Sequence, residues 1–380
     1  MDLRELRREI DGIDDEIVRL FAKRMDIAAE IAEYKKEHSL PILVPAREKE
    51  KLADVAEKAG KDMETYTKVL YSTLFELSRS YQSKRTGALS PLCRRISDAM
   101  ENTPRLFPEG PAVACQGVEG AYSQIAAEHL FKDPKIFYFR NIPAVFEAVE
   151  QGLCPYAVVP LENSNAGSAK KVYDLLQSHH FSIVRTYRLK IDHNLLVNPG
   201  TNRQDIREIY SHEQAIGQCS EFLSTLPRAN VIAVANTAMA ARMVSESGRN
   251  DVAAISSSLC GELYNLKCVE HSVQDRKNSR TRFLCIGKNL EIFPGSDRTS
   301  LMMVLDHKPG ALYKVLARIF TLGINVTKVE SRPIPDRDFQ YMVYFDLETS
   351  VYSEGFAQLM GELEELCQEF QYLGSYREVL

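Results

Sequence analysis

Arg24 stands where an apolar residue belongs. Leu3, Leu6, Ile10, Ile13, Ile17, Leu20, Ile27, Ile31 and Tyr34 follow alternating steps of three and four, the rhythm of a helix–helix seam, and Arg24 interrupts it. A guanidinium on such a face is costly unless an anion or a dense set of hydrogen bonds compensates it. Periodicity alone also admits a register-fixing polar residue or a snorkelling side chain. Lys35 lies eleven residues on, within about 20° of the same face at roughly 100° per residue. Arg7 lies seventeen residues back, about 100° round the cylinder, so it suits a pocket on a partner chain better than this one. Farther along, Ser78 and Gln82 are i, i+4 neighbours flanking the apolar positions Leu70, Leu74, Leu77 and Tyr81. Cations, a hydroxyl and an amide along one helical pocket suit a small dicarboxylate.

Two strand–loop–helix junctions have the make-up of anion cradles. ACQGVEGAYSQ carries Gly117, Gly120 and Ser123 ahead of a helix, and VVPLENSNAGSAKK carries Glu162, Asn163, Ser164 and Gly167 ahead of another. Backbone N–H groups at a helix N-terminus, flanked by Ser and Asn, hold carboxylates, although ordinary capping explains such loops too. His193 and His212 are further candidates, set against the commoner case of a hydrogen-bonded structural histidine.

These residues need elements to position them. A helix over about residues 5–37 would run roughly 50 Å at 1.5 Å per residue, longer than two further helices at 47–60 and 62–84 can cover. Its seam therefore calls for a second chain. Pro41 and Pro45 break the pattern. SKRTGALSP and ENTPRLFPEG read as a linker. AVACQG, KIFYFR, YAVVPL, IREIYS, NVIAVAN, VAAISS and RFLCIG then alternate with amphipathic stretches, an α/β organisation. SIVRTYRLKIDHNLLV is long and strand-like enough to carry the chain from one lobe to another. The last segment reads β-α-β-β-α-β, the ferredoxin-like order. The expected organisation is 1–86, a linker at 87–109, 110–288 and 299–380.

The first segment, with L-R-x-x-I-D-x-I-D-x-x-I-x-x-L-x-x-x-R and a lysine eleven on, resembles the all-helical chorismate mutase family. By position that resemblance implies substrate contacts at Arg7, Arg24, Lys35, Arg47, Glu48, Ser78 and Gln82, with Val44 contributing backbone where some relatives have Asp. Chorismate rearranges to prephenate without nucleophile or base, so the site's work is to hold one conformer and stabilise charge on the breaking ether oxygen. The arginines would clamp carboxylates, Lys35 and Gln82 would donate to the ether oxygen, and Glu48 would accept from the ring hydroxyl.

The two cradles together with D-H-N-L-L-V (192–197), Y-S-H-E-Q (210–214), Gln218 and S-R-T-R-F (279–283) resemble prephenate dehydratase. The resemblance implies two α/β lobes like a periplasmic binding protein, with Thr281 catalytic beside Arg282 and Phe283. Ser123, Glu162, Asn163, Ser164 and Gln218 would line the cleft. Without the resemblance, R-T-R-F reads only as strand. Val118, Ala121, Glu213 and Ser279 depart from the family pattern. D-H-K-P-G-A-L (306–312) and E-S-R-P (330–333) resemble an ACT regulatory domain. That implies a phenylalanine site at Gly310, Ala311, Leu312, Glu330, Ser331, Arg332 and Pro333, with Tyr313 replacing a usual valine.

The 380-residue chain is 44% hydrophobic and 26% charged, with a net charge of -5, a soluble multidomain composition that gives no general reason to expect nucleic acid or an anionic membrane as partner. MDLRELRREID is charged and helical in pattern, unlike a secretory signal, and eight scattered cysteines without C-x-x-C fit a reducing cytoplasm. The reading is a cytoplasmic, cofactor-free and metal-free bifunctional enzyme taking chorismate and prephenate, with phenylalanine as effector. It is expected as a homodimer or larger homo-oligomer, Arg7 entering the partner's site. A fused prephenate dehydrogenase lacks its G-x-G-x-x-G after any strand. Arogenate dehydratase activity, or a catalytically silent amino-acid sensor on the same folds, are the alternatives.

Overall fold

A computed structural model describes residues 2–38, 40–41, 43–86, 90–165, 167–334, 337 and 340–380. Four helices open the chain: α1 (Leu3–Glu37), α2 (Pro45–Ala59), α3 (Glu64–Thr86) and α4 (Pro91–Asn102). There follow β1 (Ala112–Gln116), α5 (Tyr122–Leu130), β2 (Lys135–Phe139), α6 (Ile142–Glu150), β3 (Tyr156–Asn163), β4 (Gly167–Ser168), α7 (Lys170–His179) and β5 (Ser182–Lys190). The next stretch holds β6 (Asn194–Val197), β7 (Glu208–Ser211), α8 (Glu213–Gln218), α9 (Ser220–Ser224), β8 (Asn230–Ala233), α10 (Thr237–Ser247), β9 (Val252–Ser256), α11 (Ser258–Leu263) and β10 (Lys267–Glu270). The chain ends with β11 (Arg280–Gly287), β12 (Arg298–Leu305), α12 (Ala311–Thr321), β13 (Asn325–Pro333), β14 (Tyr341–Glu348), α13 (Phe356–Leu366) and β15 (Cys367–Val379).

The residues form two compact units. One is Met1–Arg95 with Leu305–Gly323 and Glu354–Glu369; the other is Ile96–Val304 with Ile324–Ser353 and Phe370–Leu380.

In the first unit, α1 starts where Glu5 Oε2 accepts from the Asp2 backbone N–H at 3.1 Å, half of a capping box. Pro45 opens α2 and Gly60, at φ +72°, closes it, the usual asymmetry of the two helix ends. Helix α3 packs against both α1 and α2, and α13 packs against α3 and α12. The apolar seam of α1 is not covered by the other described residues: Ile10, Ile13 and Ile17 remain 56–57% exposed. The segment expected as a linker holds α4 instead. Leu92, Ile96 and Ala99 repeat at helical spacing and are buried, a period that the turn-like flanks at either end conceal.

In the second unit, a large sheet has the order β13-β14-β12-β15-β5-β11-β3-β1-β2, with β4 on β3, and a smaller one has the order β10-β6-β9-β7-β8. β5 belongs to the large sheet and β6 to the small one, so the long SIVRTYRLKIDHNLLV stretch does pass between lobes. The run between β10 and β11 returns. β10 and α11 had no clear pattern in the sequence, being too short to show a period. Strands β12 to β15 take the order second-third-first-fourth that a β-α-β-β-α-β segment forms. β15 reaches β5 in parallel, Arg377 opposite Arg185. Gly374 permits it: at φ +140°, a Cβ there would overlap the Ile183 carbonyl. Cysteines 93, 115, 154, 219, 260 and 285 are buried, as small core residues are.

Candidate active sites

Between α1, α2 and α3 lies a cavity of about 450 Å³, lined by Arg24, Lys35, Val44, Arg47, Glu48, Ser78 and Gln82 among others. Arg24 interrupts the seam because it turns into this cavity, where Nη1 donates to Ser78 Oγ and, at 3.3 Å, to the Leu74 carbonyl. Its guanidinium also sits 5.8 Å from the Phe75 ring centre. Burial lowers the pKa of Arg24, and lowers that of Lys35 although Glu48 pulls the latter up. Gln82 Oε1 is buried and finds no hydrogen-bond partner among the described residues, a polar group that a bound ligand would satisfy. Glu48 accepts from Arg79 Nη1. Arg79 and Lys51 also line the cavity; neither was expected. The only sequence signal for Arg79 was its place beside Ser78 and one turn after Glu76. Arg7 lies on the exposed part of α1, outside the cavity of its own chain.

The second site, a cavity of about 170 Å³ in the second unit, draws on strands β1, β3 and β11 of the large sheet and on loops and helices flanking the strands of the small one. Tyr122 and Ser123 at the start of α5, and Asn236 and Thr237 at the start of α10, bring two helix N-termini to it, the partial positive charge that favours carboxylates. Asn163 of β3 and Thr281 of β11 are register partners. Asn163 Nδ2 donates to Thr281 Oγ1 at 2.9 Å and to Ser279 Oγ at 3.2 Å, so the serine in an unexpected position keeps a hydrogen-bonding role. Gln218 Nε2 donates to Asn163 Oδ1 at 3.3 Å, and His193 Nε2 faces Gln218 Oε1 at 3.2 Å. With Nε2 donating, Nδ1 is left as an acceptor 3.1 Å from the Tyr122 hydroxyl. Burial holds His193 below its ordinary range, although Gln218 and Asp192 oppose it. Burial also lowers His212, against Glu213.

Three expected cleft residues lie elsewhere. Successive strand residues face opposite sides of a sheet, so Glu162 and Arg282 point away from the cavity that Asn163 and Thr281 face. Arg282 Nη1 is 3.3 Å from Glu162, and its Nη2 pairs with Asp346. Glu162 also takes Lys328. Ser164 is exposed on the turn after β3, its Oγ accepting from the Arg280 N–H at 3.1 Å. Alternation along E-N-S and T-R-F was the signal available to separate them. Phe283, two residues beyond Thr281, does line the cavity, as do Ser123 and Gln218. Tyr122, Asn236 and Thr237 were not expected; Asn-Thr before an apolar helix was the cue.

A prephenate dehydratase model matches residues 113–291 and a chorismate mutase type II model residues 6–83. The bifunctional chorismate mutase/prephenate dehydratase of Aquifex aeolicus is 32% identical over 383 residues, spanning 100% of this chain and 99% of that one. The chain belongs to this bifunctional family. Chorismate mutase and prephenate dehydratase activities are thus carried on one polypeptide. The chain is also similar to arogenate dehydratase/prephenate dehydratase 2 of Arabidopsis thaliana, 38% identical over 78% of this chain and 81% of that one. The crystal structure of prephenate dehydratase from Arthrobacter aurescens in complex with L-Phe superposes with a TM-score of 0.64 at 25% identity, over 70% of this chain and 89% of that one.

The residues expected to hold phenylalanine belong to α12 in the first unit and to β13 in the second. Gly310, at φ +83°, caps α12, which opens with Ala311 and the exposed Leu312. On β13, Glu330 accepts from Ser168 Oγ at 2.9 Å and Arg332 donates to Asp174 at 3.2 Å, while Ser331 and Pro333 face outward on the opposite side. No described helix is long and apolar enough to cross a membrane.

Proposed function

We propose that the α1–α2–α3 cavity rearranges chorismate and that the cleft around Thr281 converts prephenate to phenylpyruvate. The convergence of Arg24, Lys35, Arg47, Glu48, Ser78 and Gln82 on one cavity carries the first assignment. Arg24 and Arg47, with Arg7 of a second copy, hold the two carboxylates and select the folded conformer. Lys35 and Gln82 donate to the ether oxygen as its bond breaks, where stabilisation of growing charge has most effect. Glu48 accepts from the ring hydroxyl, and Val44 offers backbone at the mouth.

In the cleft, the polarity of the hydrogen bonds supports the role of Thr281. Its oxygen accepts from Asn163, which leaves its proton to donate to the departing ring hydroxyl. The N-termini of α5 and α10 suit the carboxylates. Loss of the hydroxyl and of carbon dioxide together is drawn forward by aromatisation. Arogenate, differing only in the side chain, fits the same description.

The uncovered seam of α1 supports a homodimer that buries it and delivers Arg7 to the partner. The segment 299–380 is assigned as an ACT domain on its element order and strand order, with phenylalanine as its effector; the L-Phe complex of the Arthrobacter relative supports that ligand. The enzyme is placed in the cytoplasm. Purified protein assayed for both steps, with and without phenylalanine, tests these assignments together. Turnover of neither chorismate nor prephenate overturns the catalytic ones, and indifference to phenylalanine the regulatory one.

A further inference from the structure

Glu48 is the lone carboxylate among the described residues lining the mutase cavity, and it faces five cations there: Arg24, Lys35, Arg47, Lys51 and Arg79. A carboxylate among so many donors has several favourable directions. Arg79 selects one. Its Nη1 holds Glu48 and its Nη2 holds Glu76, one turn back on α3.

Glu76 is only 5% exposed. Burial alone would push its carboxyl up, yet Arg79, Arg318 and Lys314 outweigh that and keep it below the usual range. Two of those cations come from α12: Arg318 Nη2 lies 2.7 Å from Glu76 Oε2, and Lys314 Nζ lies 3.3 Å from Oε1. Arg318, also 5% exposed, is 3.2 Å from Glu362 of α13 through Nε. Gln358 of α13 donates to Glu362 at 2.6 Å and to Ser80 Oγ at 3.1 Å, which returns the network to α3. Three carboxylates and three cations are thus joined in a ring that starts at the cavity wall and closes through both C-terminal helices. A buried charge stripped of its partner is strongly unfavourable, so the direction of Glu48 depends on α12 being in place.

We infer that Arg79 is a positioning residue for the mutase reaction, aiming Glu48 at the substrate hydroxyl, and that α12 completes this support through Arg318 and Glu76. The mutase site therefore extends by way of side chains into the C-terminal segment, some 240 residues from the helix it serves (Glu76 and Arg318 are separated by 242). This rests on the assignment of Glu48 to the chorismate site.

The test uses the full-length enzyme with Arg79→Met, Arg79→Lys, Arg318→Met and the charge-balanced pair Glu76→Gln/Arg318→Met, alongside Glu48→Gln. Mutase kcat and KM are measured with dehydratase kcat on the same preparations. The expected result for Arg79→Met is a mutase kcat lower by about 10–100-fold, since misplacing a positioned group by about 1 Å has that effect, with KM for chorismate within about threefold. Arg79→Lys keeps the charge without the two-armed fork and recovers part of the loss. Arg318→Met and the balanced pair lower mutase kcat about tenfold while dehydratase turnover stays at the parent level. The balanced pair changes no net charge, and Glu362, which loses Arg318, keeps its hydrogen bond from Gln358, so it decides the matter if a single variant does not fold. Parent mutase kcat in Arg79→Lys and the balanced pair, with Glu48→Gln impaired, overturns the coupling. Parent kinetics in Glu48→Gln overturns the site assignment beneath it instead.

Discussion

Asn163 donates to Thr281 at 2.9 Å while accepting from Gln218 at 3.3 Å, so these hydrogen bonds run in one direction and end on the hydroxyl oxygens of Thr281 and Ser279. On the proposed reading, the hydroxyl proton of Thr281 is then left to donate to the substrate.

Thr281→Ala removes that donor and is expected to lower dehydratase kcat by roughly 10²–10⁴-fold, the range for a positioned proton donor. Asn163→Ala should follow in the same direction, and mutase turnover on the same protein should hold. Full prephenate turnover in Thr281→Ala, followed by phenylpyruvate absorbance, rules out the assignment.

His193 supplies a pH signature. Its folded pKa lies below the ordinary 6.5 because of burial, so the native state keeps it neutral where the unfolded chain takes up a proton. Its contribution to stability is present above pH 6.5 and lost as pH falls toward the folded value. Protonation also turns Nδ1 from acceptor to donor against Tyr122. NMR titration of the imidazole should give a midpoint under 6.5, and His193→Asn should flatten the acid decline in stability that denaturant unfolding measures. A midpoint at or above 6.5 contradicts it.

Lys35 should impose an alkaline limb on the mutase. Burial lowers its pKa from 10.5, the pull of Glu48 notwithstanding, so the charge proposed to stabilise the ether oxygen is lost as pH rises through a value below 10.5. Lys35→Arg stays charged across this range and should move the limb upward. Lys35→Ala should lower kcat/KM by about 10²–10³-fold, as removal of a charge-stabilising donor does. Unchanged mutase kinetics in Lys35→Ala removes its role.

The stripe on α1 predicts the oligomer. Ile13→Lys with Ile17→Lys places charge on a face now more than half exposed, and light scattering should then show a smaller particle. Mutase activity should fall with it, because the proposed reach of Arg7 into a partner's cavity requires the dimer, while dehydratase activity persists. Parent mass in this variant counts against the seam as an interface.

Much of this was legible locally. The step of three and four along α1 announces a long helix, and the eleven-residue spacing sets Lys35 on the face of Arg24, both consequences of 3.6-residue periodicity; that Arg24 lines a cavity, where a register-fixing or snorkelling side chain was equally open, came from the fold. Cleft residues were harder. Reading E-N-S and T-R-F as blocks put Glu162 and Arg282 beside their neighbours, whereas strand alternation sends them to the other side of the sheet, toward Asp346 and Lys328. Short elements such as β10 and α11 have too few residues for any period to show.

By itself, then, the order of amino acids determined what depends on near neighbours: which stretches coil, which extend, which faces are apolar, and the family to which those patterns point. Tertiary structure alone decided which distant side chains share a partner. Nothing in the spacing of Glu76 and Arg318, 242 residues apart, forecasts an ion pair at 2.7 Å. Such pairs form where helix packing excludes water from charges that must then satisfy one another, and that exclusion exists only once the chain has folded.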